Sequence, residues 1–524
     1  MRETGVKHLS GLDGAFLSLE TAATPMHVGS LHVFQPPPHY RKDFCEAVKQ
    51  MMAARLHLAP VLRRRLAQMP LQFANPVWID DGVDFDVHIQ RIALPSPGTI
   101  EQLQDCVGEL HGQLLDRTRP LWMLYVFEGL GDGRKAYYIK IHHSLLDGQA
   151  GAMLAATLFD LSADVARPQP PEPGSGDKAP GALALAAAAF RHDAAQYVKL
   201  VRNLPEVART LAGMVLGGGP PQPRAKGAAR GGPAASIWGN ASFGPRTPLN
   251  VTLTPERGFA AVSIPLGEVK AIAHARGATV NDVVLALCSG ALRRYLTRHG
   301  GLPRKPLMAT MPISLRAPGD KEFTTQATLS LVNLATDVAD PLKRLDALRA
   351  SSGATKSAAK SARSIIPVDF PTIGGPWIIG AIASLYGRSK VASVIPPLAN
   401  VVISNVAGPP IPLYAAGARM TDYWPLSIVE HGVGLNITLM SYNGSLGVGF
   451  TVASCAVPDP HELVADFLRA HAQLKQAVEA AVAAEAPVAK KPRAAARKPV
   501  AAKAAAEGPA RSAPKKRAKK KESA

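Results

Sequence analysis

The chain has 524 residues, 47% hydrophobic and 6% aromatic, with a formal net charge of +19. That length gives room for about two or three domains with large cores. The four cysteines (Cys45, Cys106, Cys288, Cys455) stand far apart with no C-x-x-C, which weighs against zinc and a disulfide framework and fits a reducing cytosol.

In chain order, the opening MRETGVKHLSGLDGAF lacks the apolar core of a signal peptide. FCEAVKQMMAARLHLAPVLRRRL reads as a helix and its exit, WMLYVFEGL and AYYIKIHH as strands, and GQAGAMLAATLFDLS as a helix. Two Pro/Gly-rich stretches, 166–181 and 217–235, flank a segment with helical spacing. Beyond them, FAAVSIPL reads as a strand. TVNDVVLALCSGALRRYLTRHG reads as a long helix that opens on a Thr279-x-x-Asp282 capping box and closes at Gly300. LMATMPISLR, NVVISNVAG and GLNITLMSYNGSLGVGFTVAS are strand-like, the last with a hairpin signal at Asn443-Gly444. The pattern predicts an α/β fold with mixed sheets. It divides into an N-terminal lobe over 1–165, a connector over 166–249, a C-terminal lobe over 250–480 and a tail over 481–524.

The tail, from Pro487 to Ala524, holds thirteen Lys and Arg against two Glu, a net +11. Its Ala/Lys/Pro composition cannot bury enough apolar surface to offset chain entropy, so disorder is expected. An inert solvated tail and a tether to anionic lipid are the leading readings, ahead of nucleic acid. Residues 370–387 and 391–418 carry no charge, but Pro and Gly interrupt both, so neither predicts a spanning helix. Buried core is expected there, with a surface dipping into lipid as the alternative.

Residues 137–151 read YYIKIHHSLLDGQAG. On a strand, Tyr137, Ile139, Ile141 and His143 share one face, and Tyr138, Lys140 and His142 the other. His143 therefore continues the apolar face. Burial disfavours imidazolium, so a neutral His143 is expected, able to take a proton. Gly148 permits close packing after Asp147. A metal site built from His142, His143 and Asp147 is disfavoured, because adjacent strand residues point apart. The H-x-x-x-x-D spacing also fits glycerol-phosphate acyltransferases, but their acidic-Gly-Thr block is missing. No G-x-S-x-G, Walker loop or G-x-G-x-x-G after a strand occurs.

HHSLLDG resembles the H-H-x-x-x-D-G motif of the chloramphenicol acetyltransferase-like, CoA-dependent acyltransferases. The surrounding blocks resemble one branch, the bacterial wax ester synthase/acyl-CoA:diacylglycerol acyltransferases. These blocks are LSGLDGAFLSLETAATPMHVGSLHVF, the Pro120-Leu121-Trp122 motif, the Asn281-Asp282 motif, MPISLR and NVVISNVAGPPIPLYAAGARM. Ala407 stands where that family usually has Pro. The resemblance spans about residues 9–475, omitting the connector and tail. It implies two acetyltransferase-like lobes around a tunnel, acyl-CoA as co-substrate without a cofactor, and diacylglycerol or a long-chain alcohol as acceptor. It also implies His143 as general base supported by His142, and Asp147 holding the turn through an arginine, for which Arg63, Arg64 and Arg65 are the candidates. Asn281 and Gly148 are expected near substrate, and Ser404 and Asn405 are candidate oxyanion donors. A peripheral position at the inner membrane face or a lipid inclusion fits such substrates. The alternatives are a non-catalytic lipid-droplet coat on the same fold, or a condensation-type enzyme using carrier-protein thioesters.

Overall fold

A computed structural model describes residues 7–164 except 70, 72–73 and 147, parts of 181–194, and residues 244–314, 327–362 and 397–485. The expectations for Asp147, for most of the connector and for the basic tail lie outside the described residues.

Two six-stranded mixed sheets carry the fold. The first runs, in spatial order, Tyr414–Ala415 (β12), Ala418–Leu426 (β13), His27–Gln35 (β2), Lys135–His142 (β7), Trp122–Glu128 (β6) and Ile89–Ala93 (β5). The second runs Ala327–Asn333 (β10), Met308–Ser314 (β9), Val401–Ala407 (β11), Leu435–Tyr442 (β14), Ser445–Ala453 (β15) and Arg257–Pro265 (β8). A small sheet of Lys7–His8 (β1), Val77–Asp80 (β4) and Arg64–Ala67 (β3) flanks them.

Local chemistry explains several boundaries. Thr279 and Asp282 form the reciprocal capping box that opens the helix Val280–Arg298. That helix closes on Gly300 at φ 67, with the Gly301 N–H donating to Leu296 O at 2.8 Å. The left-handed glycine lets the last carbonyls find partners. Asn443 and Gly444 both take positive φ, 43 and 83, so the β14–β15 hairpin turns with the twist of its strands. Ala407 ends β11 opposite Ser441.

The two lobes are interlocked rather than merely adjacent. Chain order places 414–426 in the C-terminal lobe, yet β13 pairs antiparallel with β2, from Arg419 opposite Gln35 to Leu426 opposite Gly29. From Tyr423 to Leu426 both faces of β13 are buried. Met420 and Tyr423 join the core beneath the first sheet, and Trp424 and Leu426 join the core on its other side. The crossing is close enough that a Cβ on Gly447 would fall 2.2 Å from Tyr423 O, and one on Gly449 2.0 Å from Pro425 O. Two glycines on β15 thus make room for the crossing strand. Across the junction, Gln104 of the helix Ile100–Gly112 serves edge strand β8. Its amide donates to Ala261 O at 3.0 Å and accepts from Ala261 N at 3.1 Å, which satisfies backbone groups at an open sheet edge.

Candidate active site

An apolar cavity lies between the lobes, with about 1390 Å³ not filled by atoms, part of it open to solvent. Ile139, Ile141 and His143 line it from the first lobe, Leu154 and Leu158 from the helix Gly148–Leu158, and Met440 from the second lobe. The strand's alternation turns His143 into this cavity and His142 away from it, where the latter is fully buried.

Backbone bonds fix the histidine pair. The His142 N–H donates to Leu121 O at 3.0 Å, and the His143 N–H to Met26 O at 2.8 Å. Pro120-Leu121-Trp122 is therefore structural. Leu121 and Trp122 are fully buried, and the Trp122 indole donates to Leu62 O at 2.8 Å.

The helix Gly11–Leu19 supplies a group to each imidazole. Phe16 stacks on His143, with ring centroids 4.2 Å apart and an interplanar angle of 23°. Glu20, the C-cap of that helix, reaches the other side of the strand. Its Oε1 lies 3.3 Å from His142 Nε2 and 3.2 Å from His27 Nε2, and accepts from the Met26 N–H at 3.1 Å. Arg117 donates to Glu20 Oε2 at 2.8 Å and to Leu17 O at 2.7 Å, a cation placed at the negative end of the helix. The Ser144 N–H donates to His142 Nδ1 at 3.1 Å. A neutral His142 therefore carries its proton on Nε2, facing Glu20.

Burial pushes the Glu20 carboxyl up, but the bonds and charges of His142 and His27 outweigh it and hold it well below the usual carboxylate range. Nearby, Lys140 Nζ donates to Leu110 O and Gln113 O, each at 2.7 Å. Burial brings its ammonium down to about 7, against the pull of Glu20. Glu20 was missed in the sequence. Its signal was a single acid among LSLETAATPMHV, at the end of an apolar helix.

Burial also pushes His27 down to about 4 and His32 to about 3. Unfolded, each titrates near 6.5, so below that value the unfolded chain binds protons that the native chain refuses. Stability from these groups is full above about pH 6.5 and is lost as pH falls toward 4, with a slope on the order of 1 kcal/mol per pH unit for each group. Denaturant unfolding between pH 7.5 and 4.5 should show this fall, and a flat profile would remove the argument.

The other expected residues are placed as follows. Gly148 begins its helix. Asn281 is not among the described residues lining the cavity. Its amide faces Met311 Sδ at 3.7 Å, next to the cavity-lining Pro312. Ser404 and Asn405 line the cavity wall from β11. Arg63 pairs with Asp80, and Arg65 with Asp81. Among the described residues, no group of three or more His, Cys, Asp or Glu is placed to hold a metal ion, and no helix is long and apolar enough to cross a membrane.

Residues 9–284 match the family model of the wax ester synthase/diacylglycerol acyltransferase catalytic domain, and residues 325–475 that of its C-terminal domain. A Mycobacterium tuberculosis protein named as a probable diacylglycerol O-acyltransferase is 35% identical over 479 residues, covering 89% of this chain and 98% of its own length. The wax ester synthase/diacylglycerol acyltransferase structure from Marinobacter aquaeolei is 29% identical. It covers 90% of this chain and 100% of its own, with a TM-score of 0.63. At 16% identity and a TM-score of 0.52, the first condensation domain of the CDA synthetase shares the fold. Together with the interlocked lobes, these matches make the chain an acyltransferase, and it belongs to the wax ester synthase/diacylglycerol acyltransferase family.

Proposed function

We propose that the chain moves a long-chain acyl group from acyl-CoA to the hydroxyl of diacylglycerol, or of a long-chain alcohol, with His143 as general base. The observation that carries this reading is His143 on the wall of an apolar cavity between two lobes. A hydroxyl is too weak an acid to react unaided at neutral pH, and a positioned imidazole takes its proton as oxygen attacks the thioester carbonyl. The carbon–sulfur bond breaks, and the imidazolium returns the proton to the departing thiolate, giving ester and free CoA. Phe16 and the Leu121 and Met26 carbonyls support the orientation of the histidine pair. In this reading Asp147 holds the turn, Asn281 acts through β9, and Ser404 or Asn405 faces the developing oxyanion.

The test is thiol release from palmitoyl-CoA with dioleoylglycerol or hexadecanol as acceptor, run side by side. Release with neither acceptor would leave the lipid-coat alternative standing. Release only from a carrier-protein thioester would favour a condensation-type enzyme.

We propose that residues 487–524 hold the enzyme at anionic lipid, where each nearby Lys or Arg contributes roughly 1 kcal/mol. A truncation after Ala486 should keep its turnover on detergent-dispersed substrate and lose co-sedimentation with anionic liposomes, and binding of the full chain should weaken steeply with salt. Equal liposome binding by both forms would sink the tether.

A further inference from the structure

His32 is a polar side chain in a place that asks for an apolar one. It lines the cavity but is only 1% exposed. Its ring packs against Tyr423, Tyr137 and Phe159, at centroid distances of 4.4, 5.1 and 5.1 Å. Ser30 Oγ lies 2.7 Å from Nε2, and the Tyr423 hydroxyl bonds to Ser30 in turn. Nδ1 is buried with no hydrogen-bond partner among the described residues. The ring is therefore held on one edge by a hydrogen bond and enclosed by T-shaped and tilted aromatic contacts.

Its position gives the cavity a length. His32 is opposite Tyr137 in the β2–β7 register, six residues back along the strand from His143. At about 3.3 Å per residue this separation is roughly 20 Å. The helix Gly148–Leu158 ends just before Phe159, which packs on His32. Between these ends Ile139, Ile141, Leu154 and Leu158 give the arm apolar walls.

An extended hydrocarbon advances about 1.25 Å per carbon, the projection of a C–C bond near 1.5 Å. We propose that His32 and Tyr423, with Ser30 holding the His32 ring, close the end of an arm that receives one of the two hydrocarbon chains, acyl or acceptor, and that this wall sets an upper limit of about 16 carbons on its length. The inference rests on the acyl-transfer reading above. A longer chain must displace a pinned ring or leave methylenes unburied. Each methylene kept from burial forfeits about 0.8 kcal/mol, roughly fourfold in binding. Removing the ring opens space for further carbons.

The experiment is thiol release by wild type and by His32→Ala, His32→Val and His32→Phe, run as two series. One varies acyl-CoA from C12 to C22 with dioleoylglycerol fixed. The other varies the alcohol from C10 to C22 with palmitoyl-CoA fixed. The valine variant keeps a residue suited to a strand and carries the comparison if the alanine variant melts early. In one series, both smaller side chains should raise kcat/KM for C20 relative to C16 by about tenfold or more. The phenylalanine variant, which refills the wall, should hold that ratio within about twofold, and the responding series identifies the chain that occupies the arm. Unchanged ratios in both series, with thiol release intact, overturn the wall. So does a shift in His32→Phe as large as in His32→Val. No thiol release by wild type on any pair overturns the transfer reading itself, and the wall with it.

Discussion

Replacing His143 with alanine will lower kcat for thiol release by about 10²–10⁴-fold, the range lost with a general base, while far-UV circular dichroism and the melting transition stay near wild type. His143 is only half-buried, and its ring stacks on Phe16. Truncation therefore costs little packing. His142→Ala should behave differently. It removes a fully buried ring tied to Ser144 and facing Glu20, so it should lower the melting temperature and reduce turnover by misplacing its neighbour. Near-wild-type turnover in His143→Ala beside a dead, well-folded His142→Ala would reverse the assignment of the two faces.

Glu20→Ala is expected to have the largest effect on stability of any single change near the site. The carboxylate is 2% exposed and stands against Arg117, His27, His142 and the Met26 amide. Removing one partner of a buried ion pair costs about 3–5 kcal/mol. Arg117, at 38% exposure, can turn to water, which places the cost toward the lower end of that range. Glu20 touches no cavity-lining atom in the contacts described and acts as a positioning residue. Misplacement of His143 through its neighbour should lower kcat by up to about 10²-fold, with KM for acyl-CoA little changed. Glu20→Gln keeps the shape and the hydrogen-bonding oxygen, and should recover part of both losses. A Glu20→Ala variant that melts with wild type would show that the hub holds nothing. A rise in KM with kcat preserved would place Glu20 in substrate binding instead.

What the sequence determined by itself is what depends on near neighbours in the chain. The period of two along 137–143 separates the faces of His142 and His143, because successive strand side chains must point apart. Thr279 and Asp282 cap their helix, Gly300 ends it, and Asn443-Gly444 turns a hairpin. Each outcome is set within a few residues by dihedral preference and local hydrogen bonding. The order of recognisable blocks was enough to name the family.

What only the tertiary structure decided is which distant surfaces meet. ARMTDYWPL carries nothing that assigns it to the first sheet, because its partner strand β2 lies at the other end of the chain. That choice depends on burying both faces of β13 over Tyr423–Leu426, and on two glycines of β15 that let it cross. Glu20 reads as an ordinary acid at a helix end until folding seals it beside His142 and His27. Only there does loss of water make its partners decisive. His32 likewise shows no role in PMHVGSLHVF. Its place opposite Tyr137, under Phe159 and Tyr423, gives it a cavity to close. Pairing of sheet edges and burial of charge depend on packing between segments far apart in the chain, an energy that no short window of sequence contains.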